Sequence, residues 1–207
     1  MKNTQEIPDL SAENTPTEAK SPEELSLLQR FLSLDARFSA KLVVPEKPGP
    51  LRWLFILLGH SCDSWYWLIF LSCLLFFGSD AIRTRTLFWI FGMVGLAALV
   101  LAVKFIIRRP RPEGEWGKIY RVSDPHSFPS GHAARAAAIA LMIGMSAPPL
   151  AAAAFILWAL GVGISRVALK LHYLSDVAAG WMIGIFCGAA AARLFPLIEP
   201  WITRFLS

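Results

Sequence analysis

Three clusters of basic residues, histidine and carboxylate sit at the ends of apolar runs between residues 104 and 176. They are Lys104…Arg111-Pro112, Pro129-Ser130-Gly131-His132 and Ser165-Arg166…His172…Asp176. A charge at the edge of an apolar run is costly unless it has a partner or a task. His172 and Asp176 are four residues apart, the spacing that puts two side chains on one face of a helix. A carboxylate beside an imidazole fixes its tautomer and supports the cation formed on reaction. The pair suits a nucleophilic histidine that becomes phosphohistidine; the plainer alternative is a buried polar pair. His132 has no carboxylate near it in sequence on its own helix. It is free to protonate a leaving alkoxide and then to activate water.

The remaining members are anion binders. Ser130 is a good helix N-cap and Gly131 leaves backbone uncovered, so the free N–H groups there form an anion site. Lys104, Arg111 and Arg166 are fixed cations, the main device for stabilising charge on a transferring phosphoryl group. Arg108, Arg193 and Arg204 read instead as head-group contacts. Arg135 fits either role, and His126 reads as a solvated side chain. A metal mechanism would need grouped carboxylates. Asp63, Glu113, Glu115 and Asp124 have no ligand-like spacing with histidine, so neither metal nor other cofactor is expected.

The body that must carry these clusters is apolar. Of 207 residues, 55% are hydrophobic and eight are Trp, with a net charge of +5. Residues 1–50 hold six Lys/Arg and eight Asp/Glu, whereas the rest holds fourteen and seven. A basic, apolar body suits anionic lipid or a phosphorylated substrate. Nucleic acid is a poor fit, because no polar groove-reading helix is visible. Three cysteines without CxxC spacing give neither a disulfide framework nor a zinc site.

Residues 1–23 are too polar to fold and read as a disordered tail without a signal peptide. Residues 24–50 form an amphipathic interfacial helix, with Leu27, Phe31, Leu34 and Phe38 at helical spacing, and a Pro-rich linker. Residues 51–207 form the membrane domain. After a short interfacial helix, the spans expected are Ser64–Ile82, Thr86–Ile107, Gly131–Met145, Leu150–Leu169 and Tyr173–Phe195, with a turn at 79–85 and a loop at 108–131. The polar patch His60-Ser-Cys-Asp63 is placed at the interface. Pro196 and Pro200 are expected to end the last span. The fold class is thus an all-α transmembrane bundle of five to six spans. Alternating spans put all three clusters on one side. Arg83, Arg85, Arg193 and Arg204 lie at the other, which the positive-inside rule makes cytoplasmic.

The ordered triple Lys-x6-Arg-Pro, Pro-Ser-Gly-His and Ser-Arg-x5-His-x3-Asp resembles the signature of the type 2 phosphatidic acid phosphatase superfamily. The resemblance covers about residues 50–195. It implies metal-independent removal of phosphate from a lipid or isoprenoid phosphate or diphosphate; with the arginine side cytoplasmic, the site is expected to face outward from a bacterial inner membrane. It also implies His172 as nucleophile, Asp176 as its partner and His132 as acid and base. Lys104, Arg111, Ser130, Gly131 and Arg166 would then bind phosphate. A lipid phosphotransferase, or an anion-binding or transport protein without turnover, would use the same pocket.

Overall fold

The computed structural model describes residues 26–114, 124–145 and 147–206. The tail expected at 1–23 and much of the 108–131 loop lie outside them. The described residues form helices α1 (Leu27–Lys41), α2 (Pro50–His60), α3 (Ser64–Phe77), α4 (Asp80–Ile107), α5 (Gly131–Gly144), α6 (Pro149–Ala168) and α7 (Leu174–Leu206), with no named strand. The chain divides into two compact units at residue 35, so α1 begins in the first and ends in the second.

Three helices, α4, α6 and α7, are long and apolar enough to cross a membrane. The α2–α3 pair, bent by 48° at its break, qualifies as a fourth when taken together, and α5 is a shorter apolar helix. This is an integral-membrane helical bundle. Phe76, Phe77, Phe91, Ile106 and Phe186 lie exposed on its outside, the pattern of a surface that faces lipid.

Helix α5 is the hub, packed against α6, α7 and α4. Its alanines at 133, 134, 136, 137, 138 and 140 are buried. A Cβ added at Gly180 on α7 would lie 2.5 Å from the Ser130 carbonyl oxygen, and one at Gly184 would collide with that of Ala134. Such close approach of small residues lets two backbones pack in lipid, where no hydrophobic force drives helices together.

Two expected boundaries move. The turn at 79–85 shrinks to Gly78–Ser79, and α4 begins at Asp80, so Arg83 and Arg85 are helical. Asp80 in that first turn suits the positive end of the helix dipole. At the other end, α7 runs through Pro196 and Pro200 instead of stopping. Proline in a membrane helix loses one donor, and local adjustment satisfies the freed carbonyl.

Candidate active site

Each cluster is shaped by its local chain. At the end of α4, Arg108 adopts a left-handed conformation (φ 51°), and Pro110 and Pro112 then forbid further helix. The strand-like segment that follows pairs with the segment before α5 through a Pro110–His126 bridge. At the start of α5, the Ser130 Oγ caps the helix by accepting from the Ala133 N–H at 3.4 Å. The Ser130 N–H donates to the Asp176 carbonyl at 2.9 Å, which ties the second cluster to the third. Between α6 and α7, the Leu171 and His172 N–H groups both donate to the Arg166 carbonyl. That turn fixes His172 relative to Arg166.

The result is one cavity of about 190 Å³. Lys104, Arg111, Gly131, His132, Arg166 and His172 line it. Ser130 and Asp176 are buried behind this wall; Ser130 acts there as a cap, and Asp176 backs His172. His172 lies in the turn before α7, not on the helix, and its Nδ1 is 3.6 Å from Asp176 Oδ2. Its Nε2 meets Arg111 Nη1 at 3.1 Å inside the site. A guanidinium only donates, so Nε2 carries the lone pair and Nδ1 the proton. Burial holds the His172 imidazole well below its usual range, and the charges of Arg111, Arg166 and Lys104 add to this. The ring is therefore neutral near pH 7.

Several partners have no local signal in the sequence. Arg109 donates to Asp176 Oδ1 at 2.7 Å and to Asp35 Oδ2 at 2.7 Å, and stacks 4.0 Å from the Tyr173 ring centroid. The exposed N–H groups that begin α7 are also met: Tyr173 by Asp176, Leu174 by Ser39, and Ser175 by Asp35. Asp35 and Ser39 lie on the part of α1 that belongs to the second unit, and they help hold the third cluster. Arg135 donates to the Cys62 carbonyl at 2.7 Å and also borders the cavity. His126, expected to be solvated, is half-buried, and its carbonyl accepts from Lys104 Nζ at 2.6 Å.

Asp124 is the resident anion. Its carboxylate accepts from Lys104 Nζ at 2.8 Å and from Arg111 Nη2 at 2.7 Å. Burial raises its pKa, but the hydrogen bonds and charge of Lys104, with the charge of Arg111, outweigh this and hold it below the usual carboxylate range. Burial in turn lowers Arg111.

The polar patch placed at the interface is also part of the site. His132 Nε2 meets Asp63 Oδ1 at 2.8 Å, and Asp63 Oδ2 meets His60 Nδ1 at 2.7 Å. His132 does have a carboxylate partner, supplied from 69 residues away. Asp63 is a charge inside an apolar stretch, and that was the one available signal. Among the described residues, no three His, Cys, Asp or Glu side chains are grouped to hold a metal ion.

A cavity lined by four cations and two imidazoles lies at one end of an apolar helical bundle, an arrangement suited to holding a phosphate. The PAP2 superfamily model matches residues 85–199. The chain is 31% identical to the decaprenylphosphoryl-5-phosphoribose phosphatase of Mycobacterium tuberculosis over 145 residues, covering 63% of this chain and 71% of that protein. It is 32% identical to the lipid A 1-phosphatase of Rhizobium johnstonii over 181 residues, covering 76% and 73%. The crystal structure of a transmembrane PAP2-type phosphatidylglycerolphosphate phosphatase from Bacillus subtilis superposes with a TM-score of 0.68 at 23% identity, covering 82% of this chain and 88% of that one. The chain belongs to the PAP2 superfamily, and it is a membrane phosphatase.

Proposed function

We propose that the protein hydrolyses a phosphate monoester or diphosphate of a lipid or isoprenoid through a phosphohistidine on His172. The observation that carries this reading is the His172 Nε2 lone pair, aimed at Arg111 in a cavity lined by Lys104, Arg166, Gly131 and His132. The phosphate displaces the Asp124 carboxylate from Lys104 and Arg111, and Arg166 and the α5 N-terminus complete the cradle. Nε2 attacks phosphorus, the P–O bond to the lipid breaks, and His132 protonates the leaving oxygen. Asp176 supports the positive charge on the His172 ring. In the second half, His132 takes a proton from water, hydroxide attacks phosphorus, and the P–N bond breaks to release phosphate. No step uses a metal.

A lipid substrate is supported by an apolar groove of about 200 Å³ between α3, α4 and α5. It shares Met93, Ala97 and Arg135 with the phosphate cavity, so a hydrocarbon chain can lie in it with its phosphate in the cradle. The similarity to phosphatases acting on lipid and isoprenoid phosphates points the same way. We place the protein in a bacterial inner membrane with the site outside, on the arginines at the opposite helix ends.

The test is a phosphate-release assay in detergent across lipid phosphates and diphosphates, with and without EDTA, alongside chemical trapping of the phosphoenzyme. Wild-type protein is expected to turn over at least one class with EDTA present and to yield an acid-labile, base-stable phosphohistidine. His172→Ala should lose both while remaining folded. Wild-type rates in His172→Ala would sink the assignment.

A further inference from the structure

The first half of the bent pair, α2, ends at His60, and the turn that follows is held firmly. The Trp158 indole donates to Ser61 Oγ at 2.8 Å, and that of Trp67 to the Ser61 carbonyl at 3.2 Å. Arg135 clamps the Cys62 carbonyl at 2.7 Å, and the buried Cys62 thiol faces the His132 carbonyl at 3.6 Å. Four contacts from three other elements thus set one three-residue turn against the first turn of α5. What they place there is Asp63.

Asp63 divides its two oxygens between two imidazoles, Oδ1 to His132 and Oδ2 to His60. Side-chain exposure rises along this row from 17% at His132 to 24% at Asp63 and 37% at His60. The row therefore runs outward from the cavity wall. With Nε2 of His132 engaged by Asp63, Nδ1 is the ring nitrogen left for substrate. Positive charge on that ring has Arg135 and Arg166 as fellow cavity residues, and Asp63 supplies the compensating anion.

We propose that Asp63, oriented by His60, is the positioning residue that sets His132 to exchange protons through Nδ1. The inference rests on the phosphatase reading above. In the first half-reaction the Nδ1 proton moves to the lipid oxygen as the P–O bond breaks, while the Nε2 proton stays hydrogen-bonded to Asp63. In the second, Nδ1 recovers a proton from water as hydroxide displaces the His172 nitrogen. Asp63 and His60 end each cycle as they began it, so neither is consumed and neither touches phosphorus.

The experiment compares two probes on full-length protein in detergent, dioleoyl phosphatidic acid and p-nitrophenyl phosphate. The alkoxide of the first needs a proton to leave, and the nitrophenolate of the second does not. Asp63→Asn is expected to lower kcat on phosphatidic acid by about 100-fold, the scale of general acid–base catalysis, with KM unchanged. Its pre-steady-state burst of p-nitrophenolate should keep the wild-type rate constant, and phosphohistidine should accumulate because the second half is slowed. His60→Phe should show the same pattern more weakly, and Asp63→Glu should recover part of the loss. A wild-type kcat in Asp63→Asn would overturn the inference, as would an equal fall of burst and lipid turnover, the mark of a merely structural turn. Wild-type protein inactive on both probes and on every lipid phosphate of the panel would instead overturn the phosphatase reading itself.

Discussion

The two walls of the cavity each present an imidazole backed by a carboxylate, and they are built in opposite ways. On one wall His172 is 2% exposed and Asp176 fully buried, the two are four residues apart, and their closest approach is a loose 3.6 Å. Asp176 is pinned less by the histidine than by Arg109 and the Tyr173 N–H. On the other wall the contact is a tight 2.8 Å, made across 69 residues, between side chains 17% and 24% exposed. A nucleophile must present one lone pair from a fixed, dry place. An acid–base group must gain and lose a proton every cycle, and a strong partner near water serves that.

Removing the anchor of the first wall should have the largest effect among these contrasts. Arg109→Ala leaves Asp35 and Asp176 buried without their shared cation, a loss of about 3–5 kcal/mol for such a pair. A fall in melting temperature in detergent and a collapse of lipid phosphate turnover are expected. Unchanged stability would mean that the two walls are held more alike than their hydrogen bonds indicate.

Between the walls, Asp124→Asn should leave Lys104 and Arg111 open to solution anions. Competitive inhibition by inorganic phosphate is expected to tighten about tenfold, roughly one charge-assisted hydrogen bond. Equal inhibition in variant and wild type would show that the carboxylate does not compete for the cradle.

The smallest effect is a pH dependence belonging to the dry wall. The folded protein resists protonation of His172, whereas the unfolded chain takes the proton at about pH 6.5. Stability is thus full above that value and declines as pH falls below it. The lowered Asp124 pKa adds a further loss only in the more acidic carboxylate range. Thermal unfolding between about pH 5 and 8 should show the decline in wild type and a flatter profile in His172→Gln.

What could be read from the chain follows the same division. Lys104, Arg111, Ser130, Gly131, Arg166, His172 and Asp176 stand in compact motifs at helix ends, and alternation of spans put those motifs on one side. Asp63, His60, Arg109 and Asp35 act across 67 to 74 residues or through such a partner, and no periodicity marks those pairings. Arg109 stands between Arg108 and Arg111 without a motif position of its own, and only the chain after the left-handed turn at Arg108 brings it to Asp176 and Asp35. The run of α7 past two prolines was hidden for a related reason. The rule that proline stops a helix is calibrated in water, and in lipid an unpaired backbone group has nowhere better to go.

The clasp of Asp35 and Ser39 on the start of α7 reaches beyond the stretch that defines the family. The superfamily match begins at residue 85, yet the Asp176 carboxylate behind His172 is braced, through Arg109, by a side chain fifty residues earlier. A fragment trimmed to the matched region would keep every signature residue and lose that brace. It would be a poor stand-in for the enzyme, because residues before the first motif help to decide how firmly the turn carrying His172 is held.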